Sequence, residues 1–365
     1  MRFIFFIVVL IHGIIHLLGF IKAFFETDIS IQLVGVSKPI GSIWLVAFLL
    51  FMVVAIQFLT GEKWFYIAFI AVFVSQILIV LAWQDAKFAT IANIIILIVG
   101  FSAFATHKFH NMVTYESYQI LLNKTIKPSS IILEKDINHL PQIIQKWLNN
   151  SRTVGSPNVQ TVQLKQLGTM RTKPTSHWMP FEASQVFNVE NPSYVWQTKV
   201  DAMPIISMVG LDKFENGKGE MLIKLAGLMS VVNEVENPKI NQGAMLRYLA
   251  EICWFPSAAL NDYIHWESVD SNSAKATFMY KNQSVSGLFT FNNKGDFVTF
   301  EANRYFGGSK TSQLEKWRIT AEDYKVFNGI KIPSKCKVTW KLKEGDFNWM
   351  NLQIVAIDYN SLSSH

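Results

Sequence analysis

The sequence predicts a four-helix transmembrane bundle followed by a large antiparallel curved sheet, a half-barrel wrapped on one or two helices. Three observations carry that expectation. The 365-residue chain is 50% apolar and only 16% charged, whereas a soluble domain carries about 25% charged residues. The deficit lies at the front, where residues 1–110 hold six Lys/Arg and four Asp/Glu, against 27 and 23 in the remainder. From Val159 onward the apolar period changes to two, with turn residues between the runs. This composition excludes a disordered chain, a collagen-like chain and a small disulfide scaffold.

A bilayer core needs about 20 mostly apolar residues per helix, and four stretches reach that length: 3–25, 40–59, 64–83 and 88–106. The first is too long for a signal peptide and lacks a small-residue cleavage site, so it is expected to be retained. Trp44, Trp64, Phe65, Tyr66 and Trp83 fall near span ends, where amphipathic rings favour the headgroup layer. An even number of spans puts both ends of the bundle on one side. Arg2, Lys63, Lys108, Lys124 and Lys127 lie on the N-terminal side, and Lys22, Lys38 and Lys87 on the other. Five against three is too even to fix the side. The expected setting is a cell membrane, crossed several times.

The spans carry polar residues: His12 and His16 on one face of the first, Gln57, Ser75, Gln76 and Asn93 in the others. Polar groups in a bilayer usually face the bundle interior and bond to one another. His12, His16, Gln76 and Asn93 are therefore expected to form an interior polar cluster. The alternative is a haem, metal or proton site, since imidazoles four residues apart can approach one ion. No Cys, Asp or Glu inside a span would complete a ligand set, so neither metal nor cofactor is expected.

After the spans a helix is expected to leave the membrane, and Lys127-Pro128-Ser129-Ser130 reads as a linker. Residues 1–110 are thus the transmembrane domain, 111–139 a linker helix and loop, and 140–360 a soluble β domain with an inserted helix. Leu140-Pro141 starts a short helix with Ile143, Ile144, Trp147 and Leu148 on one face. Six strands are read over 159–166, 184–187, 194–200, 205–214, 219–228 and 229–235. A helix over 241–254 places Met245, Tyr248, Leu249, Ile252 and Cys253 at helical spacing, and Pro256 stops it. Eight strands follow: 263–269, 275–280, 284–291, 297–306, 314–321, 323–326, 330–341 and 347–359. Asn216-Gly217 and Asn328-Gly329 are hairpin turns, because Asn-Gly suits two central residues with positive φ. Cys253 and Cys336 are 83 residues apart in sequence, form no C-x-x-C, and read as small buried hydrophobes.

From Leu140-Pro141 to Tyr359 the chain resembles an uncharacterised bacterial domain family of unknown function. The resemblance is carried by Trp178-Met179-Pro180-Phe181, Arg247-Tyr248-Leu249-Ala250-Glu251, Trp254-Phe255-Pro256, Trp266-Glu267 and Arg304-Tyr305. His12-Gly13, His16 and Trp83-Gln84-Asp85-Ala86-Lys87 resemble the membrane portion of multi-span members. Tyr324 with Asn328-Gly329-Ile330-Lys331-Ile332-Pro333 is similar to a strand pair of the lipoprotein-localisation-factor (LolA-like) half-barrels. That likeness implies a sheet curled around helices, with an apolar cavity for acyl chains.

The expected function is therefore a membrane-anchored, non-catalytic module that binds a lipid, lipoprotein or other hydrophobic ligand. Trp178, Met179, Arg247, Glu251, Trp254, Phe255, Trp266, Arg304 and Tyr305 are its candidate ligand-binding residues. Arg247 would clamp an anionic headgroup at the pocket mouth; alternatively Arg247 and Glu251 are an ordinary intrahelical ion pair. An enzyme would need His177, His265, Asp262 and Glu267 to converge, and no G-x-S-x-G, H-E-x-x-H or phosphate-binding loop is present. The third reading is a structural or sensory module with a solid core. The bilayer is the expected partner. The net charge of +6 is spread along the chain, so nucleic acid is not expected.

Overall fold

Four long apolar helices open the chain in the computed structural model, which describes residues 2–25, 36–61, 63–123, 130–202 and 207–361. They are α1 (Arg2–Phe24), α2 (Lys38–Thr60), α3 (Trp64–Leu81) and α5 (Ala89–Leu122), with the short α4 (Trp83–Ala86) as the turn between α3 and α5. Each of the four is long and apolar enough to cross a membrane. Pro39 sits in the first turn of α2, where a missing N–H costs nothing. α1 and α2 pack closely because glycine leaves room: a Cβ on Gly13 would stand 2.7 Å from Phe51 Cβ, and one on Gly19 2.3 Å from the Trp44 ring. Small residues allow such approach between apolar helices. The fourth expected span ends inside α5, which continues unbroken to Leu122. Lys124, Lys127 and the expected linker at 127–129 lie outside the described residues.

The chain divides into two compact units. The first contains the helices up to residue 109 together with residues 226–229; the second begins at residue 110, within α5, and holds the other described residues. In the second unit, the short helices α6 (Glu134–Ile137) and α7 (Gln142–Asn150) precede six strands. These are β1 (Thr161–Met170), β2 (Met179–Asn188), β3 (Ser193–Val200), β4 (Met208–Glu215), β5 (Lys218–Leu225) and β6 (Met229–Val235). The helix α8 (Pro238–Glu251) then leads through two 3-10 turns, Ile252–Trp254 and Pro256–Leu260, to the second set. That set is β7 (Ile264–Ser268), β8 (Ser273–Tyr280), β9 (Gln283–Phe291), β10 (Phe297–Tyr305), β11 (Leu314–Phe327), β12 (Ile330–Leu342) and β13 (Gly345–Tyr359). All belong to one curved, unclosed antiparallel sheet of 13 strands in the order β6-β5-β4-β3-β2-β1-β13-β12-β11-β10-β9-β8-β7. Two meanders therefore meet at a seam, where β1 pairs with β13 from Val162↔Tyr359 to Met170↔Met350. α8 packs against strands from both meanders, chiefly β5, β10 and β9.

Several boundaries differ from the sequence expectation for identifiable reasons. α8 starts at Pro238, three residues early, because Asn237 caps it: its Oδ1 accepts from Lys239 N at 3.0 Å, and Pro238 suits the first helical position. Pro256 does not simply end the helix; it opens a second 3-10 turn. The strands expected at 314–321 and 323–326 are one strand, β11, kinked by a bulge between Ala321 and Asp323. The expected start of the fourth strand at 205–206 lies outside the described residues. Asn216 and Gly217 have φ of 53° and 80°, and Asn328 and Gly329 have 48° and 86°, as their hairpins require. The β8–β9 hairpin makes the same turn with Lys281 and Asn282, at φ of 49° and 60°, and no glycine marks it.

Candidate functional site

Between α8 and the sheet lies a cavity of about 620 Å³, lined by residues of β1 to β6, α8 and β10 to β13. Its walls are mainly apolar, with Trp196, Leu211, Ile223, Ile319, Val338, Trp340 and Leu352 among them. Strand alternation builds this lining, because every second residue on neighbouring strands faces the same side. Trp317 and Trp340 are direct cross-strand partners on β11 and β12, with ring centroids 6.5 Å apart.

A buried polar network borders this apolar space, built from four elements, α8, β2, β3 and β4. Arg247 on α8 donates from Nη1 to Asp212 Oδ2 at 2.7 Å and from Nε to Glu251 Oε1 at 2.8 Å. Gln185 Nε2 donates to Glu251 Oε2 at 2.8 Å, and Tyr194 OH to Asp212 Oδ1 at 2.9 Å. Every oxygen of both buried carboxylates thus has a donor. The guanidinium also lies over the rings of Tyr194 and Trp196, at 5.1 and 4.7 Å. Burial would lower the Arg247 pKa, but Glu251 and Asp212 hold it well above its ordinary value. Burial pushes the Glu251 carboxyl up.

Arg304 on β10 is placed differently. Its guanidinium lies 4.6 Å over Trp317 and 5.9 Å over Trp340, and it lines the cavity. Burial pulls its pKa below the ordinary arginine value, with Asp212 working the other way.

Six of the nine sequence candidates line this cavity: Met179, Arg247, Glu251, Trp254, Arg304 and Tyr305. Three stand elsewhere. Phe255 is fully buried in the solid part of the core, 4.7 Å from the Phe187 ring. Trp266 donates its ring N–H to Ala259 O at 3.0 Å and packs on Phe289. Trp178 is exposed and carries the Arg171 guanidinium on its ring at 4.6 Å. Arg247 is no free clamp at a mouth, because its charge is matched by two carboxylates. Nor is it an ordinary exposed pair. Sequence reading missed Asp212, although it falls in phase with the inward Phe214 and Gly210 on β4; a charge on the apolar phase of a strand was the available signal. Gln185, Tyr194, Trp317 and Trp340 carry no such mark.

In the helical unit, His16 Nδ1 donates to His12 O at 2.8 Å, which leaves His16 Nε2 to accept from Ser75 Oγ at 2.9 Å. His12 Nε2 lies 2.9 Å from Asn93 Oδ1. Asn93 Nδ2 donates to Ser75 Oγ and to Gln76 Oε1, each at 3.0 Å. The four residues singled out in the sequence meet around Ser75. Among the described residues no three His, Cys, Asp or Glu side chains are grouped to hold a metal ion. His177, His265, Asp262 and Glu267 are exposed and none lines the cavity; Glu267 pairs with Lys275 at 3.1 Å.

A family model described as a family of unknown function (DUF6920) matches residues 138–359. The curated proteins include no match. Among solved structures, the crystal structure of a LolA superfamily protein from Nitrosomonas europaea is similar at 12% identity. That match covers 60% of this chain and 94% of the other, with a TM-score of 0.35.

Proposed function

The chain belongs to the DUF6920 family of unknown function, and on that premise we propose that it is a membrane-anchored module that takes a lipid or other hydrophobic molecule into the cavity beneath α8. Its role is binding rather than catalysis. The observation that carries this reading is the cavity itself: about 620 Å³ falls within the range of small-molecule pockets, roughly 300–1,000 Å³, and apolar side chains dominate its walls. A solid-core module would have closed this space with larger side chains, since interiors pack to crystal density.

The membrane part of the reading rests on the outward faces of the four long helices. Phe3, Ile43, Leu49, Ile56, Phe73 and Ile98 are all exposed. Water would meet an apolar surface far larger than a soluble monomer presents, whereas hydrocarbon would solvate it. The domains proposed are the membrane bundle 1–110, the connecting segment 111–139 and the binding domain 140–360, in a cell membrane crossed several times.

The test is native mass spectrometry of the full chain released from neutral micelles. The expected result is a co-purifying hydrophobic mass, or uptake of added palmitate, by the wild-type protein. Val338→Trp fills the cavity from β12 and is expected to remain folded while losing that uptake. A wild-type protein that neither carries nor takes up a long-chain molecule would overturn the reading.

A further inference from the structure

The cavity divides its hydrogen-bonding groups unevenly. Among the described residues its buried carboxylate oxygens are occupied: those of Asp212 and Glu251 accept from Arg247, Tyr194 and Gln185. Gln166 Oε1 accepts from Trp196 Nε1 at 2.8 Å, which fixes the other end of that amide as the donor. Its donors are left over. Gln166 Nε2, Trp317 Nε1 and Trp349 Nε1 are buried and meet no acceptor among the described residues, and all three residues line the cavity. Buried donors without acceptors are rare in folded proteins, and each calls for a partner.

Arg304 adds a charge to this surplus. Among the described residues no carboxylate lies within ion-pair distance of its side chain. Asp212 and Glu251 act on it through space, and among the described residues its guanidinium makes no hydrogen bond. Trp317 and Trp340 support one side of the guanidinium. Gly243 of α8 admits it closely: a Cβ there would stand 3.0 Å from Arg304 Nε and 3.3 Å from Nη2. Glycine at this point lets the planar group lie against the helix.

A site with surplus donors, one cation without a direct partner and apolar walls is complementary to an acceptor-rich head on an apolar tail. We propose that the cavity binds a single-chain amphiphile with an oxyanion head, carboxylate or phosphate, and that Arg304 rather than Arg247 holds that head. This rests on the reading that the cavity takes a hydrophobic ligand. The planar fork of arginine suits both head types.

The experiment titrates the full chain in neutral micelles with palmitate, lysophosphatidic acid or hexadecanol, and reads bound fractions by native mass spectrometry. At least one of the two acids is expected to bind about tenfold more tightly than the alcohol, as hydrogen bonds to a charged group imply. Preference for palmitate alone would fix the head as carboxylate, and for lysophosphatidic acid alone as phosphate; both support the proposal. Arg304→Gln is expected to bring acid binding down to the level of the alcohol, so that the preference is lost. Trp317→Phe removes one donor and keeps the stacked ring, so it is expected to reduce the preference about threefold, and it serves where Arg304→Gln fails to fold. Equal binding of acid and alcohol by the wild type would overturn the oxyanion head and leave the cavity reading standing. A preference that survives Arg304→Gln would overturn the role of Arg304. No binding of any of the three would overturn the cavity reading itself.

Discussion

Arg247 is held between two carboxylates and two aromatic faces, so its removal strands charge in the core. Arg247→Met leaves Asp212 and Glu251 buried without their cation, and breaking such a pair costs about 3–5 kcal/mol. Urea unfolding of the full chain in micelles, followed by tryptophan fluorescence, should show a loss of that size. A loss below about 1 kcal/mol would mean that the carboxylates reach water through the cavity. Neutralising the three together, with Asp212→Asn, Arg247→Met and Glu251→Gln, should recover most of the stability, because desolvation offsets much of what a buried ion pair contributes. The i,i+4 spacing made Arg247 and Glu251 legible as a pair in the sequence. Their third member was not, because Asp212 lies 35 positions away on a strand whose packing against α8 is set by tertiary structure. Arg304 was legible as a candidate, but not as the cation without a direct partner; that distinction depends on which carboxylates the fold brings to which arginine.

Elements are tied together by a few polar anchors, and Asp296 is the clearest. It begins at the β9–β10 turn, accepts from Asn150 Nδ2 of α7 at 2.6 Å and from Asn292 Nδ2 at 3.2 Å, and pairs with Lys331 of β12. Burial would raise its pKa, but Lys331, Asn292 and Asn150 hold it below the ordinary value. A carboxylate depressed in the folded state contributes stability above its unfolded pKa and loses it as pH falls through the folded one. Wild-type urea midpoints should therefore drop as pH falls below about 4, and Asp296→Asn should flatten that drop while lowering the midpoint at neutral pH. An unchanged acid limb in the variant would show that other carboxylates govern it. At this scale the sequence was most readable where chemistry is local. The Asn-Gly hairpins, the α8 periodicity and the apolar spans follow from residues a few positions apart. The Lys281-Asn282 turn did not, since neither residue demands positive φ; strand pairing on both sides imposes it. The β11 bulge was likewise hidden, because alternation breaks at Ala321–Asp323 in the same way that a strand end breaks it.

For the whole molecule, the seam between β1 and β13 decides whether the two meanders form one sheet. Gly168 sits in it: a Cβ there would fall 2.2 Å from Asn351 O and 2.6 Å from the Phe181 ring. Gly168→Ala is expected to destabilise by about 1–3 kcal/mol, and to accelerate hydrogen exchange in both meanders together. Faster exchange in one meander alone would show that the halves are independent. The pairing of Val162 with Tyr359 lies beyond any sequence period, so the seam was not readable in advance, whereas the antiparallel class was; a cavity was expected only from the half-barrel resemblance, not from the residue pattern. The outermost strands, β6 and β7, are the two free ends of the sheet, and this has a consequence for selectivity. A closed barrel has a girth fixed by strand number and stagger, and so measures its guest like a rigid gauge. A sheet whose ends are not joined can spread or tighten without breaking a ladder of hydrogen bonds, so the ligand proposed for the cavity would be selected by the head it presents and hardly by the length of its tail.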